Sequence, residues 1–189
     1  MANTACWYQT QLPKKLIDAL IDDIQDNIKA DEYLEDSVLT GKRVEKDIRD
    51  SKNSWIHCNS WIGGVIWYYV ALANRENFLY DITEFIGDLQ YTQYDKGNYY
   101  NWHTDQDIRS FRQADEMVRK LSFSLQLTDE DDYTGGDVEF RDVDDKRFFA
   151  PRNRGCIIVF DSRTEHRVSK VESGVRKSLV GWVVGPRWK

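Results

Sequence analysis

Residues 120–128 read KLSFSLQLT, a stretch in which apolar and polar side chains alternate strictly. The apolar set is Leu121, Phe123, Leu125 and Leu127, and the polar set is Ser122, Ser124 and Gln126. Because successive side chains of a β-strand point to opposite faces, the two sets lie on opposite sides of one predicted strand. Either the polar face meets water, or the apolar face packs on helices while the polar face lines a ligand cavity.

Short β-rich runs continue on both sides of this stretch, and turns that contain Gly and Asn separate them. The predicted strands are residues 79–82, 88–94, 99–105, 120–128, 137–141, 147–150, 156–160, 166–171 and 175–184. Many short strands with regular turn signals are typical of a sandwich or a barrel. The turn at residues 172–174 predicts that the last strand folds back and pairs with the strand that begins at His166.

The chain before residue 79 has a helical pattern instead. Pro13 suits a first helical turn, and the apolar spacing from Ile17 to Ile28 is that of one buried face. A second helix is predicted over residues 59–77. Its apolar stripe is expected at Trp61, Val65, Tyr68 and Leu72. Nothing in the sequence marks a domain boundary, so we expect a single domain over residues 1–189. Helical support should cover about residues 1–78, and the β core about residues 79–185.

The composition is that of an acidic globular protein. Of its 189 residues 41% are hydrophobic and 31% charged, which excludes wholesale disorder. The net charge of −6 argues against nucleic acid as a partner, and no apolar run approaches a membrane span. Residues 1–13 lack a secretory signal, and the three cysteines, Cys6, Cys58 and Cys156, are too far apart for a disulfide framework. We therefore expect a cytoplasmic protein with reduced thiols and leave its oligomeric state open.

The chain has only three histidines, and two of them suggest a metal site. His103 and Asp105 are two residues apart at the end of a predicted strand, so their side chains point to the same side. His166 begins another strand much later in the chain. Two imidazoles and one carboxylate are the ligand set of non-haem Fe(II) oxygenases. His57 is expected to have a structural role.

Arg176 predicts an anionic ligand beside this metal. It lies ten residues after His166 and shares one face of the last predicted strand with Ser178, Val180 and Trp182. A guanidinium on the inner wall of a barrel needs an anionic partner, because an unpaired buried charge is very unfavourable. Arginine binds a carboxylate through two parallel hydrogen bonds, and Ser178 can add a hydroxyl donor.

Four stretches together resemble the 2-oxoglutarate/Fe(II)-dependent oxygenase superfamily, and within it the prolyl 4-hydroxylase branch with the bacterial PKHD-type hydroxylases. They are YDKGNYYNWHTD at 94–105, LSFSLQLTDEDDYTGGDVEF at 121–140, APRNRGCIIVFDSRTEHRV at 150–168 and GVRKSLVGW at 174–182. The ordered series is far more specific than any one motif. The resemblance implies a mostly β fold, a double-stranded β-helix (a cupin-like jelly roll) buttressed by N-terminal helices.

The resemblance also implies roles for individual residues. His103, Asp105 and His166 match the Fe(II) ligands of the catalytic centre. Arg176 matches the residue that binds the distal carboxylate of 2-oxoglutarate. The implied cofactors are Fe(II), the cosubstrate 2-oxoglutarate and O₂, with ascorbate as a further candidate.

Four more residues are candidate cosubstrate contacts. Tyr94 matches a tyrosine that hydrogen-bonds the cosubstrate, and Trp182 matches a tryptophan that lines the pocket. Ordinary core packing stays an alternative for both. Gln126 stands where many relatives have a tyrosine that helps to hold the distal carboxylate, and Ser178 lies beside Arg176.

The implied activity is that of an oxidoreductase, a dioxygenase like procollagen-proline 4-dioxygenase. It would hydroxylate an unactivated C–H bond of a prolyl residue in a peptide or protein, with decarboxylation of 2-oxoglutarate to succinate and CO₂. The alternatives are the same chemistry on a free amino acid or small molecule, or a non-catalytic cupin-like ligand-binding module. Tyr99, Tyr100, Trp102 and Trp182 are candidates for an aromatic slot. Residues 104–117 are either a lid or a solvated segment.

Overall fold

A computed structural model of the chain describes residues 7–30, 35–36, 49–106, 117–142 and 144–188. The helices are α1 (Lys14–Ala30) and α2 (Trp61–Ala73), and α2 continues into a π-helical turn at Asn74–Phe78. The strands are β1 (Trp7–Gln11), β2 (Glu35–Asp36), β3 (Arg49–Asp50), β4 (Lys52–Ile56), β5 (Glu84–Phe85), β6 (Leu89–Tyr94), β7 (Tyr99–His103), β8 (Met117–Gln126), β9 (Tyr133–Gly135), β10 (Val138–Arg141), β11 (Arg147–Phe149), β12 (Cys156–Asp161), β13 (Glu165–Val168), β14 (Val171–Gly174) and β15 (Arg176–Pro186). The mostly β fold with N-terminal helices is confirmed. No helix of the described ranges is long and apolar enough to cross a bilayer.

Two antiparallel sheets face each other across one cavity, as in a double-stranded β-helix. The larger sheet has the strand order β1-β12-β8-β15-β6-β4-β2, with β5 also paired to β15. The smaller sheet has the order β11-β10-β13-β7-β3, and β9 pairs with β14 in a separate ribbon. Side chains from both main sheets line the same cavity of about 430 Å³.

Strand β8 separates the hydrophobic core from this cavity. Its apolar residues, Leu121, Phe123 and Leu125, are buried in the core that the larger sheet forms with the helices. On the opposite face Ser122 is 1% exposed and Gln126 is 5% exposed. Ser124, which lies between them on this face, is partly buried and lines the cavity, so the interpretation of this strand as a cavity wall is correct.

The two helices cover the outer face of the larger sheet. Ile17, Leu20 and Ile24 of α1 are buried, as their spacing predicts, whereas the side chain of Ile28 lies outside the described residues. The stripe predicted for α2 is wrong: Tyr68 is 62% exposed, and the buried face carries Ile62 and Ile66 instead. Because α2 contains no charged residue, its sequence has no polar face from which the buried side could be deduced.

Strand pairing differs from the sequence prediction in two places. The segment 172–174 is not a hairpin turn, because β14 pairs with β9 and carries the chain from the smaller sheet to the larger one. Strand β15 then lies between β8 and β6, and not beside β13. The strand expected over residues 79–82 is absent, whereas β1 and β4, which were not predicted, extend the larger sheet.

The start of α2 requires a glycine at position 63. The Ser60 hydroxyl caps the helix by accepting a hydrogen bond from the Gly63 backbone N–H. A Cβ atom at Gly63 would lie 1.8 Å from the Cys58 carbonyl oxygen, whereas one at Gly64 would have no atom within 4 Å. Position 63 therefore requires glycine, whereas position 64 has room for a side chain.

We expect Gly63→Ala to lower the free energy of unfolding by about 1–3 kcal/mol, because the backbone must move to relieve the overlap. The matched variant Gly64→Ala should raise it by about 0.5–1 kcal/mol, because alanine favours an exposed helical position. Urea denaturation of both variants measures the difference. Equal effects of the two substitutions would contradict the close approach at Gly63.

Candidate active site

A β-bulge in β7 sets the direction of the side chains at the centre of the smaller sheet. His103 lies directly opposite His166 on β13, whereas Tyr100 lies opposite Val168, so β7 has one residue more than its partner between these pairs. A bulge of this kind re-aims the neighbouring side chains. It brings Tyr100 and His103 to the same face, where their rings stack with centroids 3.6 Å apart.

Three potential metal ligands converge at this point. The Asp105 carboxylate lies between the two imidazoles, with Oδ1 3.7 Å from His103 Nε2 and Oδ2 3.6 Å from His166 Nε2. The ligand atoms of all three residues lie within 4.8 Å of one another. The structure therefore brings together the two histidines and the carboxylate that the sequence predicted.

Backbone carbonyl groups orient both imidazoles. His103 Nδ1 is 2.7 Å from the Asn101 carbonyl oxygen, and His166 Nδ1 is 2.9 Å from the Thr164 carbonyl oxygen. Since a carbonyl oxygen can only accept, each Nδ1 carries the proton and each Nε2 presents its lone pair. Metal-binding histidines are typically fixed in this way.

The protonation states of the cluster also suit a cation. Burial, assisted by the proximity of His166, lowers the pKa of His103 to about 3, so this imidazole is neutral at pH 7. Burial alone would raise the pKa of Asp105, but the two imidazoles and hydrogen bonds from Ser122 and Trp182 bring it below its usual range. Two imidazole nitrogens and one carboxylate are a donor set that Fe(II) accepts.

The segment that follows β7 is anchored to the larger sheet. The Gln106 backbone N–H donates to the Ser162 carbonyl oxygen at 2.9 Å, and Arg119 Nη1 donates to the Asp105 carbonyl oxygen at 3.1 Å. The Arg119 guanidinium also lies 4.4 Å from the ring centroid of Trp182. Trp182 thus lines the cavity and packs against the arginine that holds the Asp105 backbone.

Arg176 faces the same cavity from the larger sheet. It is 2% exposed, and its Nη1 and Nη2 donate to Ser178 Oγ at 3.2 Å and to Gln126 Oε1 at 3.1 Å. Its guanidinium carbon lies 5.4 Å from the ring centroid of Tyr94. No carboxylate of the described residues forms an ion pair with it. A buried cation with only neutral partners is a candidate site for an anion.

Tyr133 is a part of this anion site that sequence reasoning missed. Its hydroxyl accepts a hydrogen bond from Gln126 Nε2, and the same amide accepts through Oε1 from Arg176. The backbone comes close here because Gly136, at φ 64°, leaves no room for a side chain: a Cβ would lie 3.2 Å from Arg176 Cδ. The tyrosine followed by Gly135-Gly136 was the available signal. Gln126 is therefore a brace for Arg176, and its amide donor is already engaged by Tyr133.

Arg49 is a second buried arginine of the cavity that the sequence did not reveal. Its Nε donates to Ser51 Oγ at 3.0 Å, and its Nη2 donates to Asn53 Oδ1 at 3.1 Å. The guanidinium carbon lies 4.8 Å from the ring centroid of Tyr100. Arg49 therefore packs on the aromatic ring that in turn stacks on a proposed metal ligand.

Only part of the expected aromatic slot is present. Tyr100 and Trp182 line the cavity, whereas Tyr99 and Trp102 do not. Trp102 points to the outer face of the smaller sheet, where it packs against the guanidinium groups of three arginines, Arg141, Arg147 and Arg167. Of the expected lid, residues 107–116 lie outside the described residues.

His57 forms a second cluster with Cys58 and Asp88 near the start of α2. The Asn59 N–H donates to His57 Nδ1, and the Cys58 N–H donates to Asp88 Oδ1. These bonds stabilise the turn before α2, so the expected structural role of His57 fits its contacts.

Comparisons with known proteins identify relatives of this chain. The model of the 2OG-Fe(II) oxygenase superfamily matches residues 89–184. The chain is 28% identical over 177 residues to a PKHD-type hydroxylase of Synechococcus elongatus, and the match covers 88% of this chain and 76% of that relative. The residues of the proposed metal cluster and Arg176 all fall within the part that the family model matches.

Solved structures share the fold. A prolyl-4-hydroxylase of Pseudomonas putida superposes with a TM-score of 0.73 at 23% identity, covering 98% of this chain and 95% of that one. A Trichoplax adhaerens prolyl hydroxylase, in complex with a hypoxia inducible factor peptide fragment, has a TM-score of 0.77 at 16% identity over 96% of this chain and 84% of that one. These likenesses establish the double-stranded β-helix. Since the family model spans just over half of the sequence, the chain belongs to the 2OG-Fe(II) oxygenase superfamily.

Proposed function

We propose that this protein is an Fe(II)- and 2-oxoglutarate-dependent dioxygenase that hydroxylates a prolyl residue in a peptide or protein. The observation that carries the proposal is the buried guanidinium of Arg176, which lacks a carboxylate partner among the described residues and faces the cavity of His103, Asp105 and His166. A dicarboxylate that reaches from the metal to Arg176 satisfies both ends of this cavity. A ligand-binding module without a cosubstrate would need no such cation.

His103, Asp105 and His166 would hold Fe(II) through two Nε2 atoms and one carboxylate oxygen. When bound, Fe(II) and 2-oxoglutarate supply the oxidising power: O₂ and 2-oxoglutarate yield succinate and CO₂, and one oxygen atom enters the substrate C–H bond as a hydroxyl. The protein orients the ligands and excludes water from the cavity.

The residues around Arg176 would position the cosubstrate. Arg176 would bind the distal carboxylate through two parallel hydrogen bonds, and the Ser178 hydroxyl would add a third. Gln126 braces the guanidinium, and the Tyr94 hydroxyl would hydrogen-bond the cosubstrate nearer the metal. Trp182 would close the wall beside Asp105.

The preference for a prolyl substrate is supported by the relatives. Two structural neighbours are prolyl hydroxylases, and one of them binds a peptide fragment. In this chain Tyr100 and Trp182 give the cavity aromatic walls, which suit a pyrrolidine ring. The unit we propose as active is the whole of residues 1–189, because β1 and β4 belong to the larger sheet. Ascorbate as an auxiliary reductant and a cytoplasmic location stay predictions.

Mass spectrometry of proline-containing peptides tests the substrate class. The purified protein, supplied with Fe(II), 2-oxoglutarate and air, should add one oxygen atom to a prolyl residue and release succinate in equal amount. Oxygen incorporation only into free amino acids or other small molecules would reject the prolyl substrate, whereas the proposed hydroxylation chemistry would stand. Absence of 2-oxoglutarate decarboxylation under all conditions would contradict the proposed enzyme.

Substitution of the proposed ligands tests the metal centre. His103→Ala, Asp105→Ala and His166→Ala should each abolish Fe(II)-dependent decarboxylation, because two remaining ligands hold the ion too weakly. His57→Ala is the matched control, since His57 lies outside the cavity, and it should keep the activity of the wild type. Full activity of any of the first three variants would remove that residue from the metal site.

Arg176 is tested by the affinity for 2-oxoglutarate. Arg176→Ala should weaken cosubstrate binding by about 2–5 kcal/mol, roughly 30-fold or more, because a desolvated charge pair is lost. Calorimetry with the Mn²⁺-loaded protein measures this without turnover. Arg154→Ala is the control, since Arg154 pairs with Asp18 away from the cavity. An unchanged dissociation constant for Arg176→Ala would show that another residue anchors the cosubstrate.

A further inference from the structure

One exposed tryptophan faces the cavity from the outer part of the larger sheet. Trp55 of β4 is 50% exposed, whereas its neighbours in the strand, Ser54 and Ile56, are buried. Its side chain lines the cavity that contains the proposed metal cluster. Among the described residues, no other ring and no cationic side chain packs on it. Trp55 therefore presents an uncovered aromatic surface inside the candidate active site.

The register of the strands places a carboxylate beside this ring. Glu35 of β2 pairs with Asn53 of β4, and Asn53 and Trp55 point to the same face because they are two positions apart. Diagonal neighbours of this kind lie roughly 7–8 Å apart, within reach of long side chains. Glu35 is exposed and lines the same cavity, and no described residue forms an ion pair with it. We call Trp55 and Glu35 the rim pair.

The charges around the rim pair favour a cation. Asp36, which follows Glu35, also lines the cavity, and Lys52 opposite it is bonded to Asp95 instead. Arg49 is 8% exposed and forms no ion pair with either carboxylate of β2. The whole chain has a net charge of −6, which attracts cations to its surface. The exposed edge of the cavity at β2 is therefore negative, although arginines line its interior.

We propose that the rim pair selects a peptide with a cationic side chain near the target proline, an inference that rests on the proposed prolyl hydroxylase activity. The face of a tryptophan ring and a carboxylate both attract a cation. The apolar stem of a lysine or arginine can pack on the indole of Trp55 while its charged end reaches Glu35. An acidic side chain in the same place would meet a like charge. Trp55 and Glu35 are therefore specificity-determining residues for the substrate.

Peptides of matched sequence test this selectivity. A single lysine is moved one residue at a time along both sides of one proline, and norleucine or glutamate replaces it at each position. With Fe(II), 2-oxoglutarate and air, mass spectrometry of the hydroxylated product gives KM and kcat for every peptide. At one position or more, lysine should lower KM roughly 3- to 30-fold relative to norleucine, the combined effect of an exposed cation–π contact and an exposed ion pair, with kcat unchanged. Arginine at that position shows whether a guanidinium is preferred to an ammonium group.

Substitutions assign the preference to the rim pair. Glu35→Gln removes the charge and Trp55→Leu removes the ring, so each should reduce the advantage of lysine, and the double variant should bring lysine and norleucine to nearly the same KM. Because norleucine is uncharged, its KM in Glu35→Gln should equal that of the wild type, which also reports a correctly folded site. Glu35→Lys should make glutamate the preferred residue. Glu84→Gln is the matched control, since Glu84 is an exposed carboxylate of β5 outside the cavity lining.

Other outcomes overturn the inference. Equal KM values for lysine and norleucine at every position, with prolyl hydroxylation observed, would reject the preference for a cation while the proposed activity stands. A preference of the wild type for glutamate would indicate that Arg49 binds the substrate instead. An undiminished advantage of lysine in the double variant would assign the preference to other residues. Absence of hydroxylation of every peptide would reject the prolyl activity, and this inference with it.

Discussion

The cavity contains a positive charge that the fold itself does not neutralise. Arg176 is buried in the larger sheet, and its guanidinium contacts a hydroxyl, an amide oxygen and an aromatic ring. Neutral hydrogen bonds satisfy part of the guanidinium but leave its charge uncompensated, which is unfavourable in a buried site. The carboxylate of the proposed cosubstrate would restore the balance. Binding of an anion should therefore stabilise the whole larger sheet around β15.

The proposed metal cluster depends on a second constraint, the pairing of β7 with β13, which places His103 directly opposite His166. Adjacent strands of the smaller sheet supply one imidazole each, and the loop after β7 supplies the carboxylate. The bulge before His103 lets the strand end with the ring turned inward, and the Asn101 carbonyl within the bulge orients that ring. The bulge thus sets both the position of the His103 ring and its tautomer.

The sequence predicted those features that depend on local periodicity. The alternation in β8 placed its apolar and polar sets correctly, and the spacing of His103 and Asp105 placed both in the cavity. The shared face of Arg176 and Ser178 was also correct, because it depends only on the period of one strand.

Features that depend on which strands meet could not be predicted in this way. Turn signals at residues 172–174 do not say whether the chain returns to the same sheet or crosses to the other, so the partner of β15 was wrong. The bulge in β7 interrupts the alternation of side chains between the two faces of the strand. Trp102, a candidate for the aromatic slot, therefore lies outside the cavity. Tyr133 reaches Gln126 only through long-range packing, and the glycines that follow it indicate a turn without showing which strand the turn approaches.

Precision at this site comes from the core on the other side of the same strands. Leu121, Phe123 and Leu125 pack beneath the helices, and Ser124 on the opposite face lines the cavity, so the register of the core determines which polar groups reach it. A shift of β8 by one residue would exchange the two faces entirely. Tight packing of the apolar face therefore excludes such a shift and holds the polar groups at both ends of the cavity at once. No described residue of the helices lines the cavity, yet the helices cover the apolar face that holds β8 in register.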